Sequence, residues 1–157
     1  MTLRPLTLLK KAIDVLAVTL FCAMFIIVLL QIGFRYLLGD PLIWTEEQAQ
    51  YLFIWVSFLG LLKAVSGGRH IAVTSLIERL GPKTTRTLKV FFELSAVIFG
   101  LILAYYGWKI MQRNWTVSTV TLFYPFAIVY VIVPAAAIAL IVLSFERVNN
   151  LVKPQDR

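Results

Sequence analysis

Few side chains in this 157-residue sequence could do chemistry, and their spacing works against it. There is one histidine, His70, and one cysteine, Cys22. One histidine cannot supply both axial ligands of a haem, and a zinc site needs several His or Cys ligands that the sequence does not hold. A lone cysteine forms no disulfide within the chain. Cys22 lies inside a long apolar run and reads as a small buried hydrophobe. Glu46 and Glu47 are neighbours, so on a helix they point to different faces and form no carboxylate dyad. No glycine-rich phosphate loop is present. These residues give no catalytic, substrate-binding or metal site and require no cofactor. They predict a chain that is not an enzyme.

The other ionisable groups lie at the edges of the apolar runs. Asp14, Lys63 and Glu93 each fall within a few residues of a run's end. An ionisable group at mid-membrane costs about 2.5–3.5 kcal/mol and is kept there for function. The middle of each run has none, which argues against a self-contained ion-coupled carrier. A stand-alone four-helix carrier acting as a homo-oligomer is the alternative reading. It requires an essential carboxylate at mid-membrane, where only edge groups such as Glu93 are on offer. Glu93 also follows Lys89 by four residues, an ordinary helix-surface pair. Arg35 shares a helix face with Gln31 and precedes Glu46 and Glu47 by a short turn. An ion pair from Arg35 to Glu46 or Glu47 is expected, either to fix that turn or to dock a partner. Gln50 and the mid-run Trp55 are further candidates for subunit contact or for packing within the chain.

The elements that must position these groups are four apolar stretches, at about 12–36, 44–66, 87–112 and 119–146. A hydrocarbon core about 30 Å thick takes about 20 helical residues to cross, and each stretch suffices. The chain is 60% hydrophobic with mean hydropathy +0.85, where a soluble domain is nearer half apolar. The reading is an all-α integral membrane protein, one domain over 1–157, with four transmembrane helices. All but three of the 15 Lys and Arg fall on one side of them, the exceptions being Arg35, Lys109 and Arg113. The positive-inside rule puts that basic side, and both termini, in the cytoplasm. This accounts for the net charge of +7 without nucleic acid as a partner.

Local signals fill in the rest. Gly39-Asp40-Pro41 is a turn. Thr45-x-x-Gln48 fits a capping box that opens the second helix. Gly67-Gly68 ends it. Val73, Leu76, Ile77 and Leu80 then share one face of a short amphipathic helix, expected to lie flat on the membrane surface among lipids. Pro134 lies within the fourth helix and should kink it. Membrane helices associate through small residues. Such stripes run along the second helix (Glu46, Gln50, Phe53, Ser57, Gly60, Ala64) and the third (Glu93, Ala96, Gly100, Ala104, Gly107). The fourth has Ala127 and Ala135-Ala136-Ala137. These predict close packing among the second, third and fourth helices, with part of the first facing lipid or another subunit.

Three segments in order resemble one family. They are Gln31-Ile-Gly-Phe-Arg35-Tyr36, then Pro41-Leu-Ile-Trp44-Thr-Glu46-Glu47 running into Tyr51-Leu-Phe-Ile-Trp55, and then Gly68-Arg69-His70-Ile71-Ala-Val73. The pattern is similar to the small membrane (Q) subunit of tripartite ATP-independent periplasmic (TRAP) transporters. That resemblance implies a bacterial inner-membrane subunit serving organic acid uptake. It implies two protein partners, a large membrane subunit holding the substrate and sodium sites, and a periplasmic substrate-binding protein. The small subunit would enlarge the static scaffold and help dock the binding protein. Arg35, Glu46 and Glu47 match the family's periplasmic-side charges, and Arg69 and His70 its cytoplasmic loop.

Overall fold

The computed structural model describes residues 4–66 and 82–152. The amphipathic helix expected at 73–80, together with Arg69 and His70, lies outside the described residues.

The protein is all-α, with four helices long and apolar enough to cross a membrane. Helix α1 runs Arg4–Gly33 and widens into a π-helical turn at Phe34–Leu38. Gly39 closes that turn at φ 71°, a left-handed conformation glycine adopts without steric cost. Helix α2 spans Ile43–Ser66 and α3 spans Pro82–Arg113. The last crossing is in two pieces, α4 (Phe126–Tyr130) and α5 (Ile132–Val152). Pro134 explains the break. It has no N–H to offer the carbonyl of Tyr130, and the helix is interrupted at Val131.

The second helix starts two residues before Thr45, so the expected capping box does not form. The Thr45 hydroxyl instead donates to the Leu42 carbonyl at 2.5 Å, from a fully buried position. The fourth apolar stretch holds more than helix. Ahead of α4 the chain folds into a small hairpin, with Thr119 N–H donating to the Tyr124 carbonyl and Phe126 N–H to that of Val117, both at 2.9 Å. Pro125, at φ −63° and ψ 133°, keeps the backbone extended up to the helix start.

Helix α1 packs on α2, α3 on α5, and α2 on α5. Among the described residues α1 and α3 share no extended interface, so the order in space is α1, α2, α5, α3. The core lies along α5 and the facing side of α2. Ile132, Ala136, Leu140 and Leu143 meet Leu59, Leu62 and Val65, and Ile13 reaches them from α1. The outer helices show large side chains, such as Phe21, Phe25 and Ile26 on α1 and Ile98, Leu101 and Tyr105 on α3. Cys22 is exposed on α1, contrary to its expected burial, because α1 has a neighbour on one side only.

The third helix turns its predicted stripe inward. A Cβ at Gly100 would sit 2.8 Å from Ile141 Cγ1, and one at Gly107 would sit 2.7 Å from Val133 Cγ1. The two glycines are seven residues apart, the spacing at which one helix face meets a neighbour again. The stripe of α2 does the opposite. Glu46, Gln50, Phe53, Ser57, Gly60 and Ala64 are all exposed, and nothing lies within 4 Å of a Cβ built at Gly60. The larger residues Tyr51, Leu59 and Leu62 face the core instead.

The contrast between these glycines is measurable. Gly100→Leu must displace Ile141 and is expected to destabilise the chain in detergent by about 1–3 kcal/mol. Gly60→Leu should leave the thermal midpoint unchanged or slightly raised. Equal effects at the two positions would contradict the packing described.

Candidate functional site

Polar side chains gather at the two ends of the helices. At the end carrying the 117–126 hairpin, α2 presents Glu47, Gln48, Tyr51 and Trp55 on adjoining turns. The Glu47 carboxylate accepts the N–H groups of Val120 (2.9 Å) and Thr121 (2.7 Å), and the hydroxyls of Thr121 and Tyr51. Tyr51 is one helical turn on from Glu47, which is why its hydroxyl reaches. Its ring packs edge-on against Tyr124 and Phe126, at 6.1 and 5.7 Å between centroids. The Tyr124 hydroxyl donates to Gln48 Oε1 at 3.3 Å. Burial, and after it the Glu47 charge, pushes the Tyr124 phenol above its ordinary range. Trp55 Nε1 donates to the Val129 carbonyl at 3.2 Å, tying α2 to α4 beside the break.

This cluster is a clasp. Four donors occupy the Glu47 carboxylate, leaving it no free lone-pair direction for a substrate proton. Beside it an open cleft of about 450 Å³ runs between α2 and the hairpin, lined by Ile43, Glu46, Gln50, Ile54, Thr121 and Tyr130. Its polar groups do not converge on a point. Among the described residues no three His, Cys, Asp or Glu come together as a metal site.

The opposite end is held by charge. Lys63 meets Asp14 at 3.1 Å between α2 and α1, and Lys10 meets Glu146 at 3.2 Å between α1 and α5. Arg147 donates to Glu93 at 3.1 Å between α5 and α3. Glu93 is 6% exposed, so the expected surface pair with Lys89 gives way to a buried one. The reason is the seven-residue register of α3. Glu93 continues the inward line of Gly100 and Gly107, which carries it to α5 and Arg147.

Arg35 lies exposed in the π-helical turn and, among the described residues, makes no ion pair with Glu46 or Glu47. Glu47 points to the hairpin, while Glu46 and Gln50 are exposed at the cleft. Trp55 is engaged within the chain. Thr121 and Tyr124 were not foreseen. Two of the four groups that answer Glu47 are backbone N–H, 73 and 74 residues away, and every residue but proline has one.

A family model described as "Tripartite ATP-independent periplasmic transporters, DctQ component" matches residues 24–153. The chain is 26% identical over 152 residues to the sialic acid TRAP transporter small permease protein of Vibrio cholerae, covering 94% of this chain and 88% of that one. It is 31% identical over 105 residues to a putative TRAP transporter small permease protein of Haemophilus influenzae, covering 67% and 65%. A sialic acid TRAP transporter permease protein of Haemophilus influenzae is 33% identical over 89 residues, which are 57% of this chain but 14% of that far longer one.

The clasp has a direct readout. Glu47→Ala strips two backbone N–H groups of their acceptor, at a cost of about 1–3 kcal/mol for each one left buried and unpaired. Amide exchange at Val120 and Thr121 should speed up while the α3 amides keep their protection. Unchanged exchange at both residues would remove the clasp.

Proposed function

The chain belongs to the DctQ component family of tripartite ATP-independent periplasmic transporters, and on that premise we propose that it is a small, non-transporting subunit that braces a larger permease subunit. It is a multi-pass membrane protein and, like the permease subunits it matches, not an enzyme. The observation that carries the proposal is where its acidic groups go. Among the described residues Asp14, Glu47, Glu93 and Glu146 are each paired with another part of the chain, Asp14 in a half-exposed pair with Lys63, while Glu46, in the first turn of α2, has no such partner. A carrier needs an ionisable group that changes partners as it works. A brace needs the reverse, charges that stay where they are.

A segment similar to this chain forms a small part of a much longer permease protein in Haemophilus influenzae, which supports partnership with a larger membrane subunit. The exposed side of α2 suits that contact. Its Ser57, Gly60 and Ala64 let another helix approach, whereas the outer faces of α1 and α3 carry the large side chains that suit lipid. The distribution of basic residues supports an inner-membrane orientation with both termini cytoplasmic. In that orientation Arg35, Glu46 and Gln50 lie toward the periplasm, where a substrate-binding protein would dock. Organic acid and sodium sites then belong to the larger subunit.

Two experiments test this. Reconstituted alone in proteoliposomes, the chain should take up no organic acid, and uptake by the chain alone would overturn the proposal. Co-expressed with its larger permease partner, Gly60→Leu should weaken co-purification by about tenfold, or about 1.4 kcal/mol. Arg35→Ala should lower uptake without unfolding the chain. Full assembly and uptake in both variants would displace the contact from these residues.

A further inference from the structure

We propose that the 114–125 segment is an interfacial lipid-binding element, with Val120 and Phe123 seated at the boundary between phospholipid headgroups and acyl chains. The first ground is composition. Twelve consecutive residues, Asn114 to Pro125, carry no charge, although they connect two helices across the end of a membrane protein. The second is display. Trp115, Val120 and Phe123 are 64%, 78% and 82% exposed. Phe123 holds φ at 56°, where a bulky residue rarely sits, and its ring stays outside the fold.

The third ground is how the backbone is satisfied. A loop bathed in water can leave its N–H groups to solvent, whereas one at the edge of hydrocarbon must pair them itself. Here the N–H groups of Thr119, Val120, Thr121, Tyr124 and Phe126 donate within the chain, two of them to Glu47, while those of Leu122 and Phe123, at the tip, find no acceptor among the described residues and face the headgroup level. Glu47 thus gives the hairpin the acceptors that water would otherwise supply. Position agrees with this. One helix long and apolar enough to cross a membrane ends at Arg113 and the next begins at Phe126, so the segment joins two such helices at the same end. Arg113, in the last turn of α3, can reach headgroup phosphates from the same end.

The test places a fluorophore at Phe123→Cys in a Cys22→Ser background, with the full chain in phosphatidylcholine nanodiscs. A second label at Val120→Cys guards against a local effect, and one at Phe25→Cys, exposed midway along α1, serves as the deep reference. Lipids spin-labelled near the headgroup should remove about half the emission at Phe123 and Val120, more than deeply labelled lipids do, while aqueous iodide has little effect. At Phe25 the order of the two lipids should reverse. Iodide quenching at both hairpin positions as strong as for free dye would overturn the proposal. So would quenching by iodide that disappears only when a binding protein or larger subunit is added, since the surface would then be a protein contact. Glu47→Ala should raise iodide quenching at Phe123 with helix content unchanged, and no rise would overturn the part assigned to Glu47.

Discussion

Hydrocarbon offers a polar group no partner, so this chain has to supply its own. That constraint makes the spans helical, and it also decides what happens where helices stop. At one end the hairpin ahead of α4 closes on itself and on Glu47. Beside the break at Val131, Trp55 donates to the Val129 carbonyl. At the other end each ion pair joins two different helices. Polar chemistry of this kind holds the chain together and leaves little for reaction.

Helix α5 sits at the centre of the arrangement. It touches both α2 and α3, and its small residues Ala136 and Ala137 are almost wholly buried. The glycines of α3 let that helix come close enough for Glu93 to reach Arg147. Close packing and the buried ion pair are therefore one feature. The same seven-residue register that brings Gly107 against Val133 brings Glu93 into the interface. The pair is only partly satisfied: Glu93 Oε1 accepts from Arg147 Nη1, while Glu93 Oε2 and Arg147 Nη2 are buried without a partner among the described residues, so removing either side chain would leave a buried charge alone.

The four spans were legible because hydrocarbon demands long apolar helices and little else looks like them. The inward stripe of α3 was legible because glycine at helical spacing marks close approach. The same signal misled in α2. Small residues say that a helix face is approached without saying by what, and Gly60 looks outward from this chain. For Glu93 the sequence pointed to Lys89, four residues away, and the facing of α3 carries it instead to Arg147 on α5. Of the Glu47 clasp only Tyr51, one helical turn on, was within reach of sequence reasoning; the donors at Val120 and Thr121 lie 73 and 74 residues away, and backbone groups have no side-chain signature. The π-helical turn was equally hidden, as Phe34–Leu38 reads like any apolar helix end.

That wide turn has a bearing on how chains of this kind vary in length. A π turn is an α-helix that has absorbed one surplus residue without breaking. It sits at the end of α1, just before the left-handed Gly39 and the start of α2. A relative one residue shorter could close the coil to the regular pitch there and leave the hairpin between the first two crossings where it is.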